Sequence, residues 1–218
     1  MASTLPRILL TGFDPFGGET INPSWEAVRA LHGRRLAGHR VVARQLPTEF
    51  ARSLVVLKAA LREVRPAIVL GVGQAGGRSR LSIERVAINV ADARISDNAG
   101  AQPIDVPVVA DGPAAYFSNL PIKAMLAALH AAGLPAEISN TAGTYVCNHV
   151  AYAMAHFTAR LRGVRSGFIH IPFLPDQAVR HVHAPSMALE DVTQGLAIAL
   201  RVVASTDADI RAAAGTIS

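Results

Sequence analysis

The only cysteine among the 218 residues is Cys147. It lies in TAGTYVCNHV, between a short strand-like run, EISN, and a helix-like run, NHVAYAMAHFTARL. A lone cysteine is most often a small buried apolar side chain. A thiol where a strand turns into a helix has a second use. The amides of the first helical turn lack intrahelical partners, and the positive end of the helix dipole is close. Both favour a thiolate, and the same amides can hold an oxyanion. Val150, Met154, Phe157 and Leu161 follow at helical spacing as one apolar stripe, which puts Cys147 at its top and facing inward. The glycine-containing turn before it is of the kind that presents nucleophiles.

A cysteine nucleophile needs a base, and eight histidines are available. His149 is nearest, but two residues along a helix points to the other face. His156 falls off the stripe. His32, His39 and His130 sit at helix ends or in loops. His181 and His183 suggest a metal only if a third ligand joins them, and none is evident, so no metal is expected. His170 differs. It ends the apolar strand GFIHI just before PFLPDQ, and sites in open α/β sheets form beyond the carboxyl ends of strands. Glu84, Asp92, Asp97 and Asp176 are candidates for the acid that orients the imidazole, and spacing does not choose among them.

Strand-like and helix-like stretches alternate along the chain. RILLTGF, HRVVARQL, AIVLGV, EISN and SGFIHI read as strands. PSWEAVRAL opens after Asn22 as a cap, Thr48 can cap EFARSLVVLKAALREV, PIKAMLAALHAA ends at Gly133, and Ser186 can cap MALEDVTQGLAIALRVV. The tail STDADIRAAAGTIS reads as loosely held. The pattern predicts one α/β domain over residues 1–218, a three-layer sandwich whose central, largely parallel twisted sheet carries helices on both faces. RLSIERVAINVADARI reads as extended, with a phase break at Glu84 and Arg85 that implies a bulge or bend. Residues 92–118 are irregular and proline-rich, as binding loops often are.

Half of the residues are hydrophobic, 17% are charged and the net charge is +5. The arginines are scattered and aromatics are only 5%, which argues against nucleic acid as a partner. No apolar run approaches ~20 residues and no signal peptide is visible, so no membrane association is expected. One cysteine cannot close an internal disulfide, and the expected address is the cytoplasm. GVGQAG, residues 71–76, fits the dinucleotide fingerprint but is followed by strand-period sequence instead of the required helix, so no cofactor is expected. The glycines suit a close approach of backbone to a small ligand.

TGFDPFGGETINPSWE, SIERVAINVADARISDNAGAQPID, SNTAGTYVCNHVAY and GFIHIPFLPDQ, in that order, closely resemble the pyroglutamyl peptidase I (pyrrolidone-carboxylate peptidase) family. The resemblance implies a cytosolic, cofactor-free cysteine peptidase that removes N-terminal pyroglutamyl (5-oxoprolyl) residues from peptides, in a family often dimeric or tetrameric. It implies Cys147 as nucleophile, His170 as base, Glu84 as the orienting acid and Arg94 as an aid to the oxyanion. Phe13, Phe16, Asn22, Gln74, Tyr145 and Val146 are implied around the substrate. Tyr145 stands where many bacterial members have phenylalanine, so its phenol needs a partner or solvent. The competing readings are a glutamine-amidase-like Cys-His-Glu hydrolase and a non-catalytic dinucleotide-binding module.

Overall fold

The computed structural model describes residues 5–215. In chain order the elements are β1 (Arg7–Phe13), α1 (Pro23–Ala30), β2 (Arg35–Leu36), β3 (His39–Leu46), α2 (Phe50–Val64), β4 (Ile68–Gln74), β5 (Leu81–Glu84), β6 (Val86–Ile88), β7 (Ala115–Phe117), α3 (Ile122–Ala131), β8 (Ala136–Ser139), α4 (Val146–Thr158), β9 (Arg165–Ile171), α5 (Pro175–Ala178) and α6 (Leu189–Ser205). Seven strands form one sheet in the order β2-β3-β1-β4-β9-β5-β8. β3, β1, β4 and β9 run parallel. β2 pairs antiparallel with β3, and β5 pairs antiparallel with β9 and parallel with β8, so three strands run against the central four. β1 and β4 are buried almost end to end, as the continuous apolar runs RILLTGF and IVLGVGQ require of strands covered on both faces.

The helices divide between the two faces. Ile8, Leu10, Leu70 and Ile169 pack with α1, α3 and α6, whereas Leu9, Val69 and Phe168 pack with α2 and α4. This is the three-layer α/β arrangement read from the sequence. The phase break at Glu84 and Arg85 is where the chain leaves the main sheet. β5 stays in it, while β6 pairs with β7 in a separate two-stranded ribbon.

Several boundaries differ from expectation. α4 ends at Thr158, so Leu161 leaves the apolar stripe and is 47% exposed. Asn22 caps α1 as expected, its Oδ1 accepting from Ser24 N at 3.0 Å. Thr48 does not cap α2. The helix starts later, and Phe50 N donates to Asp97 Oδ2 at 2.8 Å, a cap supplied from a remote loop. Ser186 does not cap α6, which begins at Leu189 without a side-chain cap. The tail is also fastened. Lys123 N and Ala124 N, at the start of α3, donate to the Asp209 carboxylate at 3.1 and 2.9 Å. Arg85 Nη2 donates to Ala214 O at 2.8 Å. Residues 216–218 of that tail lie outside the described residues.

Gly12 fixes how β1 meets α1. A Cβ there would sit 2.7 Å from Ser24 O and 2.8 Å from Trp25 N, which are backbone atoms of the first helical turn. Gly12→Ala is therefore expected to lower stability by about 1–3 kcal/mol, read as a lower urea midpoint with an unchanged slope.

Candidate active site

Because β1, β4 and β9 are parallel, Phe13, Gln74 and His170 come to the same sheet end. β5 arrives from the opposite direction with Ser82 opposite His170. Glu84, two residues on, therefore lies diagonally from His170 on the same face. Glu84 and His170 are each 3% exposed. The His170 Nδ1 to Glu84 Oε1 distance is 2.7 Å. That bond leaves Nε2 as the ring nitrogen for the pocket that His170 lines. The Phe168 ring lies 5.0 Å from the imidazole and fixes its plane from the side.

Cys147 enters the same pocket from the first turn of α4. The helix's first intrahelical bond runs from His149 N to Tyr145 O at 3.1 Å, so the amides of Val146, Cys147 and Asn148 precede it. Gly73 makes room for the sulfur. A Cβ at Gly73, registered opposite His170, would lie 2.7 Å from Cys147 Sγ and 2.9 Å from Phe168 Cζ. Gly73, within β4, thus serves close packing of a side chain, and the next element after the glycine pattern is a strand, β5.

The thiol departs from expectation. Burial, reinforced by the Glu84 carboxylate, pushes its pKa up to about 12, against the opposing pull of Arg78. His170 is shifted down, chiefly by burial, with the Glu84 hydrogen bond working the other way. Both shifts favour the neutral forms near neutral pH.

The pocket holds about 120 Å³ and is lined by Phe13, Phe16, Asn22, Thr48, Gln74, Ala142, Tyr145, Cys147 and His170. It is far below the roughly 300–1,000 Å³ of drug-sized sites, and too small for a dinucleotide. Asn22 is already committed, accepting from Ser24 and donating through Nδ2 to Asp14 O at 2.9 Å. Gln74 Oε1 accepts from Gln177 Nε2 at 3.3 Å, which orients its amide. The Tyr145 ring meets Phe50 edge-on at 5.5 Å and Phe16 at 6.1 Å. Its hydroxyl donates to Ser96 O at 3.0 Å, so the phenol has its partner on the irregular loop. Two expected residues stand apart from the pocket wall. Val146 is fully buried in the α2/α4 core, and the exposed Arg94 lies on the neighbouring loop. Asp92, Asp97 and Asp176 do not pair with His170. Asp97 caps α2 instead.

Three contributors were missed in the sequence. Thr48 and Ala142 line the wall, and Arg78 pairs with Glu84 at 2.7 Å. Arg78 follows the two glycines of GQAGGR, a segment read for its glycines and for Gln74. A larger groove of about 680 Å³ lies at the far ends of α2 and α4, among Lys58, Arg62, Arg65 and Arg160. No cysteine, histidine or carboxylate lines it. Among the described residues, no group of three or more His, Cys, Asp or Glu could hold a metal ion.

A partly buried cysteine beside a buried His–acid pair at a sheet end is shared by several hydrolase folds, and comparison decides which family this is. The family model for pyroglutamyl peptidase matches residues 6–206. The chain belongs to the pyroglutamyl peptidase family. It is 58% identical over 215 residues to the pyrrolidone-carboxylate peptidase of Cupriavidus taiwanensis, covering 98% of this chain and 100% of that protein. The corresponding protein of Escherichia fergusonii is 57% identical over 211 residues, covering 97% and 99%. The crystal structure of pyroglutamyl peptidase I from Bacillus amyloliquefaciens superposes with a TM-score of 0.93 at 46% identity, over 96% of this chain and 100% of that one. Pyrrolidone carboxyl peptidase from Thermococcus litoralis gives a TM-score of 0.93 at 36% identity, over 96% and 100%. The fold assigned to this family member thus extends across nearly its whole length.

His149, beside Cys147 in sequence, is spent on packing. It faces the Phe50 ring edge-on at 5.2 Å, and its Nδ1 is buried without a hydrogen-bond partner. Burial lowers its pKa from 6.5 to about 4. Between those values the unfolded chain binds the proton that the folded one refuses, so stability is full above about pH 6.5 and is lost as pH falls. Unfolding titrations at about pH 7 and pH 5 should show His149→Gln losing less stability than wild type, the gap narrowing by on the order of 2 kcal/mol.

Proposed function

We propose that this chain is a cysteine peptidase removing N-terminal pyroglutamyl residues from peptides by a Cys147-His170-Glu84 thioester mechanism, as one peptidase domain over residues 1–218. The observation that carries the reading is the Glu84–His170 contact of 2.7 Å opening onto the same small, aromatic-walled pocket as Cys147. A pyroglutamyl group is a neutral five-membered lactam with no N-terminal ammonium to grip. The pocket suits it. No carboxylate is among its lining residues, so nothing there pairs with the charged amine of free glutamine, and Phe13, Phe16 and Tyr145 offer ring faces. Gln74 and Thr48 supply polar atoms for the lactam's own donor and acceptor.

In the first half-reaction, Cys147 Sγ forms a bond to the carbonyl carbon of the scissile amide while its proton passes to His170 Nε2. Glu84 stabilises the imidazolium through Nδ1. The first-turn amides of α4 face the developing oxyanion, and Arg94 is assigned to the same charge, swinging in from its exposed loop. His170 then gives the proton to the leaving amine as the C–N bond breaks. In the second half-reaction, water loses a proton to His170 and attacks the thioester, and the thiol recovers that proton as pyroglutamate departs. No metal or cofactor has a role.

A single free thiol used in this way suits the reducing cytoplasm, and no helix among the described residues is long and apolar enough to cross a membrane. We also assign a homo-oligomer, dimer or tetramer, for which the exposed Phe117, Val179 and Val182 supply apolar surface. The test is a fluorogenic pyroglutamyl-amide assay on wild type, Cys147→Ser and Cys147→Ala. Wild type is expected to release the amine, and both variants to lose at least about 10³-fold in kcat. Retained turnover in Cys147→Ala would sink the mechanism, and hydrolysis of glutamine without pyroglutamyl cleavage would favour the amidase reading.

A further inference from the structure

The glycine-rich loop after β4 has one feature that the mechanism above leaves unused, the arginine that ends it. Gly76 lies flat against Phe173, where a Cβ would come within 2.5 Å of the ring, and Gly77 adopts a left-handed φ of +92°. Arg78 N closes the turn on Ala75 O at 3.2 Å. These two glycines bend the loop back over the sheet end and so deliver the guanidinium to β5.

There Arg78 makes two charge-assisted contacts at once. Its Nη1 donates to Glu84 Oε1 at 2.7 Å, the same oxygen that His170 Nδ1 meets. Its Nη2 donates to Thr141 O at 2.9 Å. Thr141 begins the segment that runs through Ala142 in the pocket wall to Cys147. The carboxylate needs such a partner. Its other oxygen, Oε2, is buried with no hydrogen bond, and a neutral imidazole cannot offset a buried negative charge. The planar fork of an arginine can reach both acceptors, which the point charge of a lysine cannot.

We propose that Arg78 is a positioning residue of the catalytic site: it holds Glu84 on His170 and, through Thr141, ties the segment carrying Cys147 to the same carboxylate. This rests on the peptidase reading above. The titratable and charged groups facing Cys147 are Glu84 from β5, His170 from β9, Tyr145 from the segment before α4, and Arg78 from the loop after β4. Arg78 is the one cation always present among them. Its charge lowers the proton affinity of both Cys147 and His170, so its removal raises both.

Two readouts test this on Arg78→Met and Arg78→Lys. The first is the rate of iodoacetamide alkylation at about pH 8, which the single cysteine makes unambiguous, which needs no peptide substrate and which, far below the thiol's pKa, follows the thiolate fraction. The second is kcat and KM for a pyroglutamyl amide. Arg78→Met is expected to lower the alkylation rate at least about threefold and kcat at least about tenfold, with a smaller change in KM. Arg78→Lys keeps the charge but not the fork. It should return the alkylation rate to near wild type while kcat stays low, and it carries the test if Arg78→Met does not fold. An unchanged alkylation rate in Arg78→Met, or a wild-type kcat in either variant, overturns the proposal. If wild type does not cleave the amide at all, the peptidase reading fails while the alkylation arm still decides the role of Arg78.

Discussion

The hydrogen bond between His170 Nδ1 and Glu84 Oε1, buried at the junction of two strands that run in opposite directions, is the constraint around which the molecule is arranged. Its 2.7 Å length requires β5 to meet β9 in one register only. A slip by one residue would turn Glu84 to the opposite face of the sheet. That register is held from both sides, since β5 also pairs along its whole length with β8. β9 is in turn locked to β4 from Ile68↔Arg165 to Gln74↔Ile171. The antiparallel entry of β5 into an otherwise parallel centre is thus how an acid from one chain direction reaches a histidine from the other.

The rest of the site depends on what this pair allows. With the imidazole plane fixed by Phe168, the sulfur needs a position beside it, and the missing side chain of Gly73 supplies the space. The irregular segment from residue 92 to 102 closes the other side. It is held by the Tyr145 hydroxyl on Ser96 O, by Thr144 Oγ1 on Asp92 O at 2.7 Å, and by the Asp97 carboxylate on α2. A loop secured at so many points positions Tyr145 as a wall with Phe50 packed against it, and the phenol contributes by fastening that wall. The same enclosure disfavours charge on both the thiol and the imidazole.

Much of this was legible in the sequence where the signal is local. The apolar runs specified β1, β4 and β9, the phase break at Glu84 and Arg85 marked the strand switch, and Asn22–Pro23 marked a helix start. Cys147 at a strand-to-helix turn and His170 at a strand end could be picked out from position alone. Longer-range contributions were not legible. Glu84 could be told from three aspartates only by family resemblance, because the register that selects it is a property of the assembled sheet. Thr48 and Ser186 looked like caps because their types are right, yet α2 takes its cap from Asp97, 47 residues away. Asp209 similarly serves α3 from the far end of the chain. Arg78 escaped notice because nothing in GQAGGR shows which carboxylate the turn will face. The thiol's proton affinity was misjudged for a related reason, since the helix N-terminus is visible in sequence and the depth of burial is not.

The central claim is that Cys147, driven by the Glu84–His170 pair, becomes covalently acylated during turnover. The direct measurement is rapid acid quench of the enzyme with a pyroglutamyl aryl ester, whose good leaving group makes acylation fast, followed by peptide mass mapping. The account predicts one pyroglutamyl group per chain, on the peptide containing Cys147, formed at the rate of the phenol burst and absent in Cys147→Ser. A full burst of phenol with no acyl group on Cys147 would contradict it.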